Sequence, residues 1–299
     1  MKKFIYSGVG TALITPFSDG RIDCHAFELL LKKQLDAGVD AVIVLGTTGE
    51  ASTISAHERM IITKLTLGMC KGKAKVIVGC GANNTQEAIV KYNDAEDLGA
   101  DGALIVTPYY NKCTQNGLIE HYGAISGSGT LPIIIYNVPS RTGVNILPET
   151  VEVLSHEKNI YGIKEASGNV PQIMEIFRLT SNNFSVFSGD DVLNNVIIQM
   201  GGAGTISVLS NIVPKLCKKM YELNIKKQYE KSNSIQLRLL PLIHSLFAEV
   251  NPIPIKAGLS YLGLCKNELR LPLTTIQNDN FEKLKKEIDL IWGKENDCV

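Results

Sequence analysis

A lysine closes the short apolar run in Ile160-Tyr161-Gly162-Ile163-Lys164-Glu165-Ala166-Ser167-Gly168. A cation at the end of a buried strand has two readings. It pairs with an acid such as Glu165 or reaches solvent, or it is a desolvated amine. Desolvation favours the neutral form, and a neutral lysine amine attacks a carbonyl carbon to form a Schiff base. Four other polar clusters end apolar runs. Gly46-Thr47-Thr48-Gly49-Glu50 offers two hydroxyls and backbone N–H groups beside glycines, which suits a carboxylate or phosphate and equally suits an ordinary turn. Thr107-Pro108-Tyr109-Tyr110-Asn111 and Tyr136-Asn137-Val138-Pro139-Ser140-Arg141-Thr142-Gly143 bring two strand-end tyrosines, Tyr110 and Tyr136, and one arginine. The phenols cap a core or work in a site. Arg141 is a surface arginine or a bidentate grip on a carboxylate. Ser188-Gly189-Asp190-Asp191 is the last cluster.

The elements that must position these residues repeat along the chain. Apolar runs occur at Val9–Ile14, Val39–Leu45, Lys75–Cys80, Gly102–Val106, Pro132–Tyr136, Tyr161–Lys164, Phe184–Phe187 and Gly204–Val208. They are continuous rather than alternating, as in strands buried on both faces of a parallel sheet. Helical segments lie between them. One covers Phe27–Leu35 and stops at Gly38. Another opens with the capping box Ser55-Ala56-His57-Glu58. A third starts at Asn84-Thr85-Gln86-Glu87 and stops at Gly99, and Pro148 opens a further helix. Eight strands alternating with helices predict an α/β fold, a (β/α)8 TIM barrel. A doubly wound sheet usually has fewer strands. All five polar clusters then share the mouth at the strands' C-terminal ends. Gly201-Gly202-Ala203-Gly204 precedes the eighth run, at the other end, and reads as a turn. After Val208 the pattern is helical: one long helix from Pro214 to about Phe247, then stretches near Ile255–Leu262 and Asn280–Trp292. The expected division is a catalytic barrel over 1–230 and a C-terminal helical extension over 231–299.

Lys+Arg and Asp+Glu both number 30, so the formal net charge is zero. No basic bias points to nucleic acid or an anionic membrane surface. The N-terminal Met1-Lys2-Lys3 precedes an apolar stretch broken by Gly8, Gly10, Thr11 and Pro16, which reads as a first strand rather than a signal peptide. No apolar segment reaches transmembrane length. Seven scattered cysteines without zinc spacings suit reduced thiols in a cytoplasm. The histidines at 25, 57, 121, 156 and 244 each fall in or beside an expected helix, and none shares a strand end with an acid. Asp190 and Asp191 are the remaining candidates for a metal and read as structural. The expectation is no metal and no cofactor.

Gly46-Thr47-Thr48-Gly49-Glu50, Tyr136-Asn137-Val138-Pro139-x-Arg141-Thr142-Gly143 and Gly162–Gly168, in this order, resemble the pyruvate-dependent class I aldolases and lyases, the superfamily of the N-acetylneuraminate lyases. More narrowly the chain is similar to the dihydrodipicolinate synthases, over nearly its whole length. The Arg141 segment is the part most specific to the synthases. The resemblance implies that Lys164 forms a Schiff base with pyruvate and that the derived enamine attacks L-aspartate 4-semialdehyde. Ring closure then releases Lys164 and gives 4-hydroxy-tetrahydrodipicolinate, for diaminopimelate and lysine synthesis. It further implies a proton relay of Tyr136, Thr47 and Tyr110, with Tyr110 reaching into a neighbouring subunit's site. Thr48 would bind the pyruvate carboxylate and Arg141 the semialdehyde carboxylate, with Gly189 and Ile206 as further contacts. A homo-oligomer follows, a tetramer built as a dimer of dimers. In lysine-inhibited relatives the effector pocket uses groups matching Tyr109, Asn83 and Glu87, which are present here. Other positions of that pocket hold Ala51, Ala56 and Arg59, and His57 lies one residue out of place. Weak or absent lysine inhibition is therefore expected, with Arg59 repelling the effector and available to pair with Glu87. Glu87 also reads as the capping-box partner of Asn84. Two other functions compete. A Schiff-base lyase acting on a sugar acid, a neuraminate or 2-keto-3-deoxy acid, would have little use for Arg141. A barrel that only binds a keto acid would have lost a relay member.

Overall fold

A computed structural model describes residues 5–180 and 183–295; the N-terminal Met1–Phe4 discussed above lies outside them. Eight parallel strands close into a barrel. They are β1 (Gly8–Ala12), β2 (Ala41–Val44), β3 (Lys75–Gly79), β4 (Gly102–Val106), β5 (Ile133–Asn137), β6 (Ile160–Glu165), β7 (Ser185–Ser188) and β8 (Gly204–Ser207). β8 pairs with both β7 and β1, so no strand edge is left open. The (β/α)8 barrel expected from the sequence is the fold, and the expected runs agree with the strands to within a residue or two.

Side-chain alternation explains why those runs are continuous. Ile43, Ile77, Leu104, Ile134, Phe187 and Ile206 belong to a core inside the barrel. Their strand neighbours Val42, Val44, Val76, Val78, Ala103, Ile105, Ile133 and Ile135 belong to the layer between strands and helices. Both faces exclude water, so both must be apolar.

The helices following successive strands are α1 (Cys24–Asp36), α2 (Ala56–Cys70), α3 (Thr85–Asp97), α4 (Gln115–Gly127), α5 (Pro148–Ser155), α6 (Val170–Leu179), α7 (Asn194–Gln199) and α8 (Pro214–Ile225). The capping box at Ser55 has both its arms. At Asn84 the side chain accepts from the N–H groups of Gln86 and Glu87, but the Glu87 carboxylate turns to Lys91 at 2.6 Å. The i,i+4 cation outcompetes the reciprocal arm expected there.

Three tail helices follow, α9 (Tyr229–Leu246), α10 (Ile253–Tyr261) and α11 (Asn278–Glu295). The single long helix expected from Pro214 to Phe247 is two helices, broken where Lys227 takes φ 58°. A buried amide network holds the break. Asn224 Nδ2 donates to Met220 O at 3.1 Å, Ser232 Oγ at 2.9 Å and Asn195 Oδ1 at 2.8 Å. The chain reverses there, so α9 packs back on α8.

Candidate active site

Lys164 stands near the C-terminal end of β6, in register with Tyr136 on β5 and Phe187 on β7. It is 5% exposed, and its Nζ lies 4.2 Å from the centroid of the Tyr136 ring. Among the described residues Lys164 makes no ion pair. The alternation of the strand sends Glu165 to the other face. There its carboxylate accepts from Asn137 Nδ2 at 3.1 Å and from the Ser167 N–H at 2.7 Å. Burial raises the Glu165 pKa, and those hydrogen bonds oppose the rise. The salt-bridge reading of Lys164 with Glu165 therefore fails. Gly189 makes room on the far side. A Cβ there would sit 2.8 Å from both Cγ and Cε of Lys164.

Lys164 opens into a chamber of about 340 Å³ whose lining includes Thr47, Thr48, Tyr136, Arg141, Gly189 and Asn251. Thr47, Tyr136, Arg141 and Asn251 also border a second cavity of about 390 Å³, which extends to Arg59, Lys91 and Tyr109. The Thr47–Gly49 turn is bracketed by two left-handed residues, Leu45 at φ 57° and Glu50 at φ 54°. Such a conformation costs of order 1–3 kcal/mol at each residue, so something must hold it. Glu50 is buried in an ion pair with Lys256 of α10, and its Oε2 accepts from the Arg270 N–H at 3.1 Å. Lys256 is itself buried against the Phe17 ring, 3.9 Å from its centroid, and donates to Glu268 O at 2.8 Å. Burial lowers its pKa and the Glu50 carboxylate opposes that shift.

The tail also reaches the mouth directly. Asn251 Nδ2 donates to Thr48 Oγ1 at 2.9 Å, and Arg141 donates to Asn251 O at 3.1 Å. Arg141 sits in the single turn Pro139–Thr142. That loop is fixed from beneath by Asn137, which donates to Asn145 Oδ1 at 2.9 Å and accepts from the Ile146 N–H at 3.1 Å. Among the described residues no carboxylate pairs with Arg141.

The remaining expected residues divide. Ile206 is buried inside the barrel in one cluster with Tyr136 and Phe187, below the chamber rather than on its lining. Tyr110 lines neither cavity; it is 90% exposed with φ 73°. Tyr109 borders the second cavity. Asn83 O accepts from Asn111 Nδ2 at 2.9 Å. Arg59 does not pair with Glu87. Its guanidinium donates to Gly79 O at 2.8 Å, and Lys91 takes Glu87 instead. Asp191 is structural, accepting from the N–H groups of Val208 and Leu209 at 2.9 and 2.8 Å. Asp190 caps the Val192 N–H at 3.0 Å and also lines the chamber. So does His244, because α9 leans over the mouth. His244 lies on a helix, as expected, and at no strand end, yet the fold brings it to the same chamber as Asp190. Among the described residues no group of three or more His, Cys, Asp or Glu side chains could hold a metal ion. Among them, too, no helix is long and apolar enough to cross a membrane.

A family model described as the dihydrodipicolinate synthetase family matches residues 5–291. The chain belongs to the dihydrodipicolinate synthetase family. It is 50% identical over 284 residues to the 4-hydroxy-tetrahydrodipicolinate synthase of Alkaliphilus oremlandii, a match spanning 95% of this chain and 98% of that protein. The solved dihydrodipicolinate synthase of Thermotoga maritima superposes with a TM-score of 0.94 at 44% identity, covering 96% of this chain and 98% of that one. A DHDPS from Cyanidioschyzon merolae, solved with lysine bound, gives 0.92 at 38% identity, with 96% and 98% covered.

Within this dihydrodipicolinate synthetase family barrel, the residues that sequence reasoning missed come from the tail: His244, Asn251 and Lys256. Asn251 carries a weak local signal, the Asn251-Pro252-Ile253-Pro254 stretch. Paired prolines fix a chain path, and here that path delivers an amide to Thr48.

Proposed function

We propose that this chain condenses pyruvate with L-aspartate 4-semialdehyde through a Schiff base on Lys164, giving 4-hydroxy-tetrahydrodipicolinate on the route to diaminopimelate and lysine. Family membership supports the reaction. The observation that carries the site is a buried lysine without an ion pair, facing a phenol and two sets of anion-binding groups. Thr48 hydroxyl and the N–H groups of its turn take the pyruvate carboxylate. Lys164 attacks the keto carbon, and Tyr136 moves the protons of imine formation as general acid and base, with Thr47 beside it. The enamine carbon then attacks the aldehyde, whose carboxylate is held by Arg141. Arg141, without an acidic partner among the described residues and lining the chamber, favours this reading over the sugar-acid lyase. Turnover with pyruvate and the semialdehyde, beside a panel of sugar acids, tests it. Condensation without sugar-acid cleavage is expected, and the reverse pattern would overturn it.

The working unit in this proposal is an oligomer in the cytoplasm, a dimer of dimers. Tyr110 supports it: a fully displayed phenol in a left-handed backbone conformation suits insertion into a neighbour's site. Feedback by lysine is weak or absent in the same reading. The second cavity carries two cations, Arg59 and Lys91, and Lys91 already holds Glu87, the acid such an effector would need.

A further inference from the structure

Three residues lining the Lys164 chamber hold no substrate group in the roles above: Asp190 after β7, His244 of α9 and Asn251 beyond it. Asn251 is 5% exposed and its Oδ1 has no hydrogen-bond partner among the described residues, while its Nδ2 is engaged by Thr48. A buried acceptor left unpaired is costly, so at the edge of a cavity it marks a donor that arrives with the ligand. Asp190 uses Oδ1 on the Val192 N–H, and no Lys or Arg among the described residues forms an ion pair with it. Arg141 and the Thr47-Thr48 turn supply the donors of the chamber. A ligand that satisfies both sets has a carboxylate at one end and N–H donors at another. That is the chemistry of an α-amino acid.

We propose that Asp190 and Asn251 Oδ1 bind the ammonium of the semialdehyde, and that His244 takes the proton this ammonium loses before the ring closes. The proposal rests on the condensation above. After the carbon–carbon bond forms, the adduct is still an iminium on Lys164. The ammonium gives a proton to His244 and becomes an amine. Its nitrogen adds to the iminium carbon, which then bears two nitrogens. A proton passes from the new ring nitrogen to the lysine nitrogen, the bond to Lys164 breaks, and the product leaves as a cyclic iminium. The other titratable groups lining this chamber are Lys164, Arg141, Tyr136 and Asp190. His244 is at the exposed rim, where an imidazole can return its proton to water.

The test uses Asp190→Asn and His244→Leu in the full-length enzyme. Asp190→Asn keeps the oxygen that caps Val192, and His244 is exposed, so both variants retain the fold. Wild-type turnover is measured first; its absence would sink the condensation itself, not this subsite. Asp190→Asn is expected to raise KM for the semialdehyde about tenfold or more, with pyruvate trapping at Lys164 unchanged. Succinic semialdehyde, which lacks the amino group, is expected to inhibit wild type and Asp190→Asn equally. His244→Leu is expected to lower the single-turnover rate of product formation roughly 10²-fold and to remove the acid limb of its pH profile. An unchanged KM, or equal weakening of both aldehydes, would overturn the ammonium site. A retained rate and acid limb in His244→Leu would overturn the role of the imidazole.

Discussion

Gly189→Ala perturbs the Lys164 chamber with a single methyl group. The added Cβ would lie 2.8 Å from Cγ and Cε of Lys164 and 2.9 Å from Ala166 Cβ. Carbon atoms rest at about 3.5–4.0 Å, so the overlap is roughly 0.7–1.2 Å. Lys164 cannot simply swing clear, because the Tyr136 ring faces its amine at 4.2 Å and the side chain is almost fully enclosed. If the lysine stays, overpacking costs about 1–3 kcal/mol, a fall of a few degrees in Tm. If it moves, a displacement near 1 Å costs about 10²-fold in rate. The expected result is a folded variant, slightly less stable, whose borohydride-trapped pyruvate adduct forms about 10²-fold more slowly. Trapping at the wild-type rate would show that Gly189 does not set the position of the amine.

Other outcomes follow from the same geometry. The Arg270 guanidinium holds the Glu58 carboxyl at about 2, down from 4.5. This depressed pKa gives stability that is complete above about pH 4.5 and lost as pH falls through about 2. Glu58→Gln is expected to cost about 1–3 kcal/mol at pH 7 and to flatten acid unfolding in that window; parallel acid curves would refute it. Mixing inactive Lys164→Ala chains with Tyr110→Phe chains is expected to restore activity if Tyr110 serves a neighbour's site. A fully active monomer would refute that role. Millimolar lysine at saturating pyruvate is expected to leave the rate nearly unchanged, and strong saturable inhibition would show that the cavity beside Arg59 accepts it.

The barrel was legible because burial on two faces writes itself into local composition. Runs such as Ala41–Val44 and Ile133–Ile135 admit no polar residue on either side. The mouth was legible for a related reason: polar clusters such as Thr47-Thr48 and Tyr136–Arg141 interrupt those runs at one end only. Long-range partners were not legible. Thr48 and Asn251 are 203 positions apart, and Lys256 looks like any helical lysine until Glu50 is placed beside it. The break between α8 and α9 left no glycine or proline at 226–228 to read, since side-chain amides from three elements create it. Arg59 and Glu87 have compatible charges, but a nearer carbonyl and a nearer lysine take them.

The most direct measurement is borohydride reduction in the presence of pyruvate, followed by peptide mass mapping. Lys164 is the buried lysine that opens into a chamber lined by Thr47, Thr48 and Arg141, whereas Lys256, equally enclosed, is already paired with Glu50. A single reduced pyruvyl adduct at Lys164, absent from Lys164→Ala, is the expected result. Labelling at Lys256 or any other lysine, or turnover without a trappable adduct, would contradict Schiff-base chemistry at this site.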